Sequence, residues 1–392
     1  MLSNQTASLH NPVRGRPFNN GRHMKNIAIF CDGTWQSLGQ PFPTNVSRLA
    51  RSVAPNNAET PKQPAMPQVV FYDDGVGVGE GVLNGVVKIV GGGLGEGLDA
   101  KIAQAYQFLC LNYAPGDRIF IFGFSRGAYT ARSLAGLLRK CWILKRDHIG
   151  WVNNAIALYR DRRIGVNDPG ALEFKKAHSQ QVPALANVSA AADTRGSVRY
   201  LGVWDTVGSL GVPKALPFSS EVNDKYRFHD TDLSSFVERA RHAVSIDERR
   251  NTFQPTLWSN MDKLNIDSGS SALAPELQPY QQLWFPGTHG GVGGGDDDKG
   301  LSLSPLCWIA EGAAAAGLTW DKAMLDSYTK TANPAAPFPK QKESLADFVV
   351  AMGMSDRAGP TNFRDVSEAA RIRWRDMKTY RPKPLSAFKD KF

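Results

Sequence analysis

The chain has 392 residues, 42% of them hydrophobic, and a formal net charge of +9. That is enough length for one large domain or two, and enough apolar material for a substantial core. No apolar stretch reaches the roughly 18 residues that a membrane-spanning helix needs, and the N-terminus lacks the apolar run of a secretory signal.

Residues 1–23 are polar and basic and read as a disordered leader, with Met24 as an alternative start. The first buried strand is Ile27-Ala28-Ile29-Phe30, ending at Cys31-Asp32-Gly33-Thr34-Trp35. A glycine turn at the C-terminal end of a parallel strand is where α/β enzymes place site residues. A helix follows (Val46, Leu49, Ala50, Val53), then a loop rich in Pro and Asn, then a second strand at Val69-Val70-Phe71-Tyr72. From Gly75 to Gly97 the chain is dense in glycine and aliphatic residues, Val86 and Val87 among them. Two readings stand. One is a mobile apolar lid that meets substrate and lipid through Val86 and Val87; the other is a loop packed on the sheet. No Lys-Ser/Thr follows these glycines, which argues against a P-loop.

Leu98, Ile102, Ala105, Leu109 and Tyr113 form the stripe of the next helix. It leads into Ile119-Phe120-Ile121-Phe122, an unbroken apolar run as expected for a strand buried on both faces. Gly123-Phe124-Ser125-Arg126-Gly127 comes next and matches G-x-S-x-G, the nucleophile elbow. Ala128, Ala131, Leu134, Ala135 and Leu138 then recur at helical spacing. A serine in a tight strand-to-helix turn needs small residues two positions away on each side. The turn also sets Ser125 at a helix N-terminus, where free amides favour a developing negative charge. Strand, motif and helix in that order are what lift the pentapeptide above chance in a chain with 37 glycines.

Residues 145–195 are polar and partly helical and read as an insertion between strands. The sheet resumes at residues 198–204, ending at Asp205-Thr206-Val207-Gly208. Another strand runs from Ala240 to Ile246 and ends at Asp247-Glu248-Arg249-Arg250. The last, Leu283-Trp284-Phe285-Pro286, ends at Gly287-Thr288-His289 before a run of glycines. An Ala-rich helix spans Leu306 to Leu318, and the remainder is mixed, with a basic, aromatic tail. The expected organisation is a leader at 1–23, an α/β-hydrolase-like catalytic domain at 24–325 and an extension at 326–392 packed on the same domain. Its sheet is expected to be mostly parallel, flanked by helices and carrying helical insertions. The four cysteines are not in C-x-x-C spacing and read as buried free thiols.

The strand-terminal groups come in the order Ser125, then Asp205 or Asp247, then His289, the chain order of α/β-hydrolases. A serine hydroxyl is a poor nucleophile at neutral pH, so a His must take its proton. The His in turn needs an acid on its other nitrogen. Of seven His, only His289 follows a predicted strand inside a glycine-rich loop; His242 lies within a strand and reads as structural. Asp205 is favoured as the acid over Asp247, whose neighbours Arg249 and Arg250 offer an ion pair instead. The oxyanion hole would take the Arg126 amide and one from the turn at Gly33-Thr34, which Asp32 shapes.

These residues carry a resemblance. The segments Lys25 to Thr34-Trp35, Gly123-Phe124-Ser125-Arg126-Gly127, Val203-Trp204-Asp205-Thr206 and Trp284-Phe285-Pro286-Gly287-Thr288-His289 resemble the type VI secretion phospholipase effector family, over roughly residues 25–320. The resemblance implies a Ser-Asp-His hydrolase acting on phospholipid acyl esters, delivered by a contractile secretion machine. Ser125 and His289 carry over directly; Asp205 and Asp247 both fall in matching stretches. Gly291 stands where family members carry an Asp, a side chain able to steer the His or a bound ion. Asp296-Asp297-Asp298 read as a solvated acidic turn, with a calcium site as the lesser reading. The chain is short for an effector with its own membrane-anchoring module.

The sequence thus points to a serine esterase or lipase, most specifically a phospholipase A-like enzyme with no cofactor and no metal. Its expected partners are an ester substrate, a transient membrane surface, a secretion-machine component and an immunity protein. The charge would suit nucleic acid too, but no nucleic-acid partner is expected. Synthesis in the cytoplasm and secretion into a target cell complete the picture. A non-lipid esterase, and a binding protein on a hydrolase scaffold, are the alternatives.

Overall fold

A computed structural model describes residues 24–34, 36–56, 65–75, 93–180, 196–208, 232–297, 300–339 and 353–392. The leader 1–23 and the substrate-contact candidates Val86 and Val87 lie outside them. Six strands form one sheet: β1 (Asn26–Cys31), β2 (Gln68–Asp73), β3 (Arg118–Phe124), β4 (Tyr200–Trp204), β5 (Ala240–Ser245) and β6 (Tyr280–Phe285). Their order is β2-β1-β3-β4-β5-β6, and every pairing is parallel. The chain steps from β1 to β2, returns past β1 to β3, and then proceeds in one direction. The order therefore reverses between β1 and β3, and a doubly wound sheet opens its binding crevice at such a point, outside the carboxyl ends of the strands.

Alternation along the strands builds two cores. Ile27, Ile29, Ile119, Ile121, Leu201 and Val203 face one way, against helices Gly93–Asn112, Arg126–Cys141 and Val152–Arg160. Ala28, Phe30, Phe120, Phe122, Tyr200 and Trp204 face the other, against helices Asn45–Ser52 and Leu303–Ala315. Phe30 and Phe122 stack at 4.6 Å between centroids with rings almost parallel. Full burial of each such side chain contributes about 1.5–3 kcal/mol. The first helix is capped by Thr44, whose hydroxyl accepts from the Ser47 amide at 3.0 Å.

Several elements differ from the expectation. β6 begins at Tyr280, because Gln281 and Gln282 are strand residues with polar side chains. Gln282 uses its amide to hold Trp258 N (2.9 Å) and His242 Nδ1 (2.9 Å), so an apolar run could not reveal it. β4 starts at Tyr200, since Val198 makes only an isolated bridge to Val237. The described part of 145–195 is less separate than an insertion: Val152, Ala155 and Tyr159 are buried in the first core. A third cluster joins Val244, Ile246 and Trp284 to Val366, Ala370, Trp374, Leu385 and Phe388 of the C-terminal residues. The four cysteines are free, and Cys307 is only partly buried.

The elbow depends on two glycines for different reasons. A Cβ at Gly123 would lie 2.4 Å from Gly127 O, inside the first turn of the following helix. One at Gly127 would lie 2.1 Å from Cys31 O and 2.4 Å from Asp32 O, the backbone leaving β1. Gly127 thus lets the helix close on the neighbouring strand rather than on its own.

Gly127→Ala is expected to cost about 3 kcal/mol or more, the upper end of overpacking, because the obstacle is backbone. Gly150→Ala, which meets nothing within 4 Å, is expected to stay within about 0.5 kcal/mol. Urea unfolding midpoints of the two variants check this, and equal midpoints would refute it.

Candidate active site

Ser125 sits between β3 and helix Arg126–Cys141 with φ 58° and ψ −120°. A non-glycine residue rarely adopts this conformation, and it costs on the order of 1–3 kcal/mol. The Ser125 amide donates to Trp204 O at 3.0 Å, which pins the turn against the end of β4. Arg126 opens the helix, and the first-turn amides of a helix point along its axis toward its N-terminal end.

Asp205 follows β4 and is again left-handed, with φ 39°. Its amide donates to Ala243 O at 2.7 Å, and its side chain is fully buried. Oδ2 lies 2.6 Å from His289 Nδ1. Oδ1 accepts from the Ser245 amide at 2.9 Å. Arg357 clamps the same carboxylate with both terminal nitrogens, Nη1 to Oδ1 at 2.7 Å and Nη2 to Oδ2 at 3.0 Å. Burial alone would raise the Asp205 pKa, but the Arg357 charge and the His289 bond outweigh it and hold the group far below the usual carboxylate range.

His289 opens the short helix His289–Gly293 after β6. Phe124 and Phe253 flank its ring, each with its centroid 4.6 Å away. The glycine run has a specific use here: a Cβ at Gly293 would lie 1.9 Å from the Phe124 ring. Its absence lets the helix turn close on the residue preceding Ser125. The His289 amide donates to Glu248 Oε2 at 3.0 Å, and Arg250 holds Glu248 through three further bonds, from its amide, Nε and Nη2. Nε2 of His289 is buried and has no hydrogen-bond partner among the described residues. Burial lowers the imidazole pKa, against the opposing pull of Asp205.

Asp247 does not reach His289. Its Oδ2 accepts from the Gly287 amide (2.7 Å) and the Tyr380 hydroxyl (2.9 Å), so it anchors the turn that delivers His289. Nor does it form the ion pair expected of it: Arg250 pairs with Glu248, and Arg249 with Asp356. Burial raises Asp247 to about 6. His242 is buried as a neutral structural group, accepting from the Thr206 amide, and burial pushes it to about 3. Asp32 accepts from Thr44 and Tyr72 hydroxyls at 2.6 Å each and from the Gly33 amide at 2.7 Å. The Gly33 N–H is therefore engaged, which leaves the Arg126 and Thr34 amides as candidates for an oxyanion. The Thr34 hydroxyl is buried without a partner among the described residues.

Sequence reasoning missed Arg357, Glu248 and Phe253 as site neighbours. Glu248 was visible only as a charge beside Asp247, and Arg357 lies in a stretch with no motif or periodicity. Asp298 is outside the described residues, and among the described residues no group of three or more His, Cys, Asp or Glu is placed to hold a metal ion. No helix among them is long and apolar enough to cross a membrane.

Comparison with known proteins adds a family. Residues 25–312 match the family described as "T6SS, Phospholipase effector Tle1-like, catalytic domain". The chain is 30% identical over 255 residues to a Saccharomyces cerevisiae protein described as "Uncharacterized protein YEL023C", covering 60% of this chain and 33% of that one. Two solved structures are similar. One is an uncharacterized protein from Pseudomonas aeruginosa, with TM-score 0.41, 18% identity, and coverage of 80% of this chain and 51% of that one. The other is the Tle1 effector bound to the VgrG spike from the type 6 secretion system, with TM-score 0.35, 19% identity, and coverage of 69% and 51%. The chain thus spans about a third of that yeast relative and about half of each solved chain.

The site predicts its own titration. With burial as the larger influence, His289 should stay neutral, with Nε2 free to accept a proton, to below the ordinary His value of about 6.5. Asp205→Asn removes the charge that favours imidazolium and should move the titration lower still. Asp247→Asn should leave it in place. Imidazole NMR signals followed against pH, assigned with a His289→Gln variant, test this; a His289 titration unmoved by Asp205→Asn would refute it.

Proposed function

This chain belongs to the Tle1-like type VI secretion phospholipase effector catalytic-domain family, and from that premise we propose that it is a serine hydrolase that cleaves acyl esters of phospholipids. The observation that carries the reading is the buried His289, with Nδ1 bonded to Asp205 at 2.6 Å and Nε2 unpartnered among the described residues, packed against the residue that precedes an elbow serine.

Ser125 Oγ attacks the acyl carbonyl carbon while His289 Nε2 takes its proton. Asp205 keeps the imidazole in the tautomer that has Nε2 bare, and stabilises the imidazolium that forms. The tetrahedral oxyanion is held by the Arg126 and Thr34 amides, at the positive end of helix Arg126–Cys141. Collapse of this intermediate breaks the ester bond, and the lysolipid alkoxide leaves with the proton from His289. Water then gives its proton to His289 and attacks the acyl-serine. The fatty acid leaves, and the proton returns to Ser125. Phe124 and Phe253 exclude water from the imidazole faces, which strengthens the electrostatics within the site.

The family also suggests delivery into a target cell, with a secretion-machine component and an immunity protein as partners. The net charge of +9 favours approach to anionic lipid.

Ser125→Ala should abolish both hydrolysis of p-nitrophenyl butyrate and labelling by a fluorophosphonate, with the melting temperature unchanged. Asp205→Asn should lower kcat by roughly 10⁴-fold. Mass spectrometry on defined phospholipids should find fatty acid and lysophospholipid in equal amounts. Wild-type turnover by Ser125→Ala would overturn the mechanism; hydrolysis of short esters but of no phospholipid would overturn the substrate.

A further inference from the structure

We propose that Arg357 is a positioning residue of the active site, which locks the Asp205 carboxylate against His289 and sets a permanent positive charge behind the pair. The inference rests on the serine-hydrolase reading above and deepens it. Arg357 lies 45 residues beyond the last residue matched to the catalytic family, in a stretch where the sequence carries no motif.

The geometry is that of a fork. Nη1 bonds Asp205 Oδ1 at 2.7 Å and Ser245 O at 2.8 Å; Nη2 bonds Asp205 Oδ2 at 3.0 Å and also donates to Phe253 O. The side chain is only 1% exposed. A planar guanidinium holding both carboxylate oxygens fixes the plane of that carboxylate, which a point charge does not. The two carbonyls extend its reach. Ser245 O belongs to the end of β5, and Phe253 carries one of the rings that flank His289. One side chain therefore orients the acid, the strand end beside it and the ring against the base.

The segment bearing Arg357 is itself held down. Asn251 N donates to Gly353 O at 3.2 Å, Ser355 N to Arg249 O at 2.8 Å, and Arg249 pairs with Asp356 at 3.0 Å. These bonds fasten residues 353–356 to the loop that follows β5, so the guanidinium enters the site from a fixed base.

The charged groups around the imidazole define the sign of the effect. Asp205 faces Nδ1, and Glu248 accepts the His289 amide with Arg250 neutralising it. Asp247 is held by Gly287 and Tyr380, and His242 is neutral beyond Asp205. Among the described residues, Arg357 is thus the cation paired directly with the Asp205–His289 couple. A fixed positive charge there opposes binding of a proton by the couple, whichever of the two residues takes it. Its loss should make the first proton bind more tightly.

The test uses the full chain with Arg357→Gln and Arg357→Lys, read by ester kinetics against pH and by NMR titration of His289. Arg357→Gln should lower kcat about 10- to 100-fold, as misplacement of a catalytic group does, with KM for p-nitrophenyl butyrate little changed. It should also move the acidic limb of kcat/KM and the His289 titration upward by roughly one pH unit. Arg357→Lys keeps the charge and loses the fork, so kcat should fall while the limb stays. A Gln variant that melts earlier but keeps kcat and the limb would reduce Arg357 to structural support and overturn the proposal. Where Gln fails to fold, Lys decides: wild-type kcat overturns it, and a lower kcat with an unmoved limb supports it. If the wild type shows no hydrolysis dependent on Ser125, the enzyme reading has failed. The His289 titration then decides the role of Arg357: an upward shift in Gln supports it, and no shift overturns it.

Discussion

The structure turns on one buried carboxylate. Asp205 is fully enclosed, and an ionised carboxylate in such a place is untenable without partners. It collects them from three directions: the Ser245 amide at the end of β5, the His289 ring after β6, and the Arg357 fork from the C-terminal residues. Removing one partner of a buried pair costs about 3–5 kcal/mol, because the other is left charged in a poor solvent. The consequence is interdependence. Segments more than a hundred residues apart in the chain are held to one another by a group that none of them could bury alone.

A second constraint places that group beside the serine. Ser125 and Asp205 both leave their strands in left-handed conformations, each at a cost of order 1–3 kcal/mol. The sheet compensates by continuing its ladder one residue past the strand ends. Ser125 N bonds Trp204 O, Asp205 N bonds Ala243 O, and Ile246 N bonds Phe285 O. The steps run β3 to β4, β4 to β5 and β5 to β6, so each turn is measured from the next strand. On the far side Asp32 N bonds Asp73 O in the same manner. The sheet thus sets where each turn begins, and the side chains that lock the site, Arg357 among them, build on that frame.

How much of this was legible in the sequence follows from where each residue lies. β1 and β3 are buried on both faces, so their apolar runs announce them, and Gly123 and Gly127 are required by backbone contacts that no other residue permits. Ser125 drew attention because it follows such a strand, and His289 because it follows the apolar end of β6 at the start of a glycine run. The sequence favoured Asp205 over Asp247 by only a modest margin, since both follow strands and both are largely buried. Only the three-dimensional arrangement separates them: one meets His289, and the other meets Gly287 and Tyr380. β6 was half-hidden because Gln281 and Gln282 serve as hydrogen-bond anchors. Arg357 gave no local signal at all, because its partners are 104 to 152 residues away in the chain.

The working unit extends past the recognisable motifs. The family match stops at residue 312, yet the fork on Asp205 comes from beyond it. A buried arginine needs a rigid mount, or its rotamer entropy would dissolve the geometry. Apolar packing supplies that mount. Val366, Ala370, Trp374, Leu385 and Phe388 are buried with Val244, Ile246 and Trp284 of the β5 and β6 region. Full burial of each large side chain contributes about 1.5–3 kcal/mol, and Tyr380 adds its bond to Asp247 at the turn before His289. The C-terminal residues therefore touch the site twice, through Arg357 on the acid and through Tyr380 on the turn that carries the base. A boundary drawn at the end of the recognisable motifs would sever both contacts and leave Asp205 buried without the guanidinium that pairs with it.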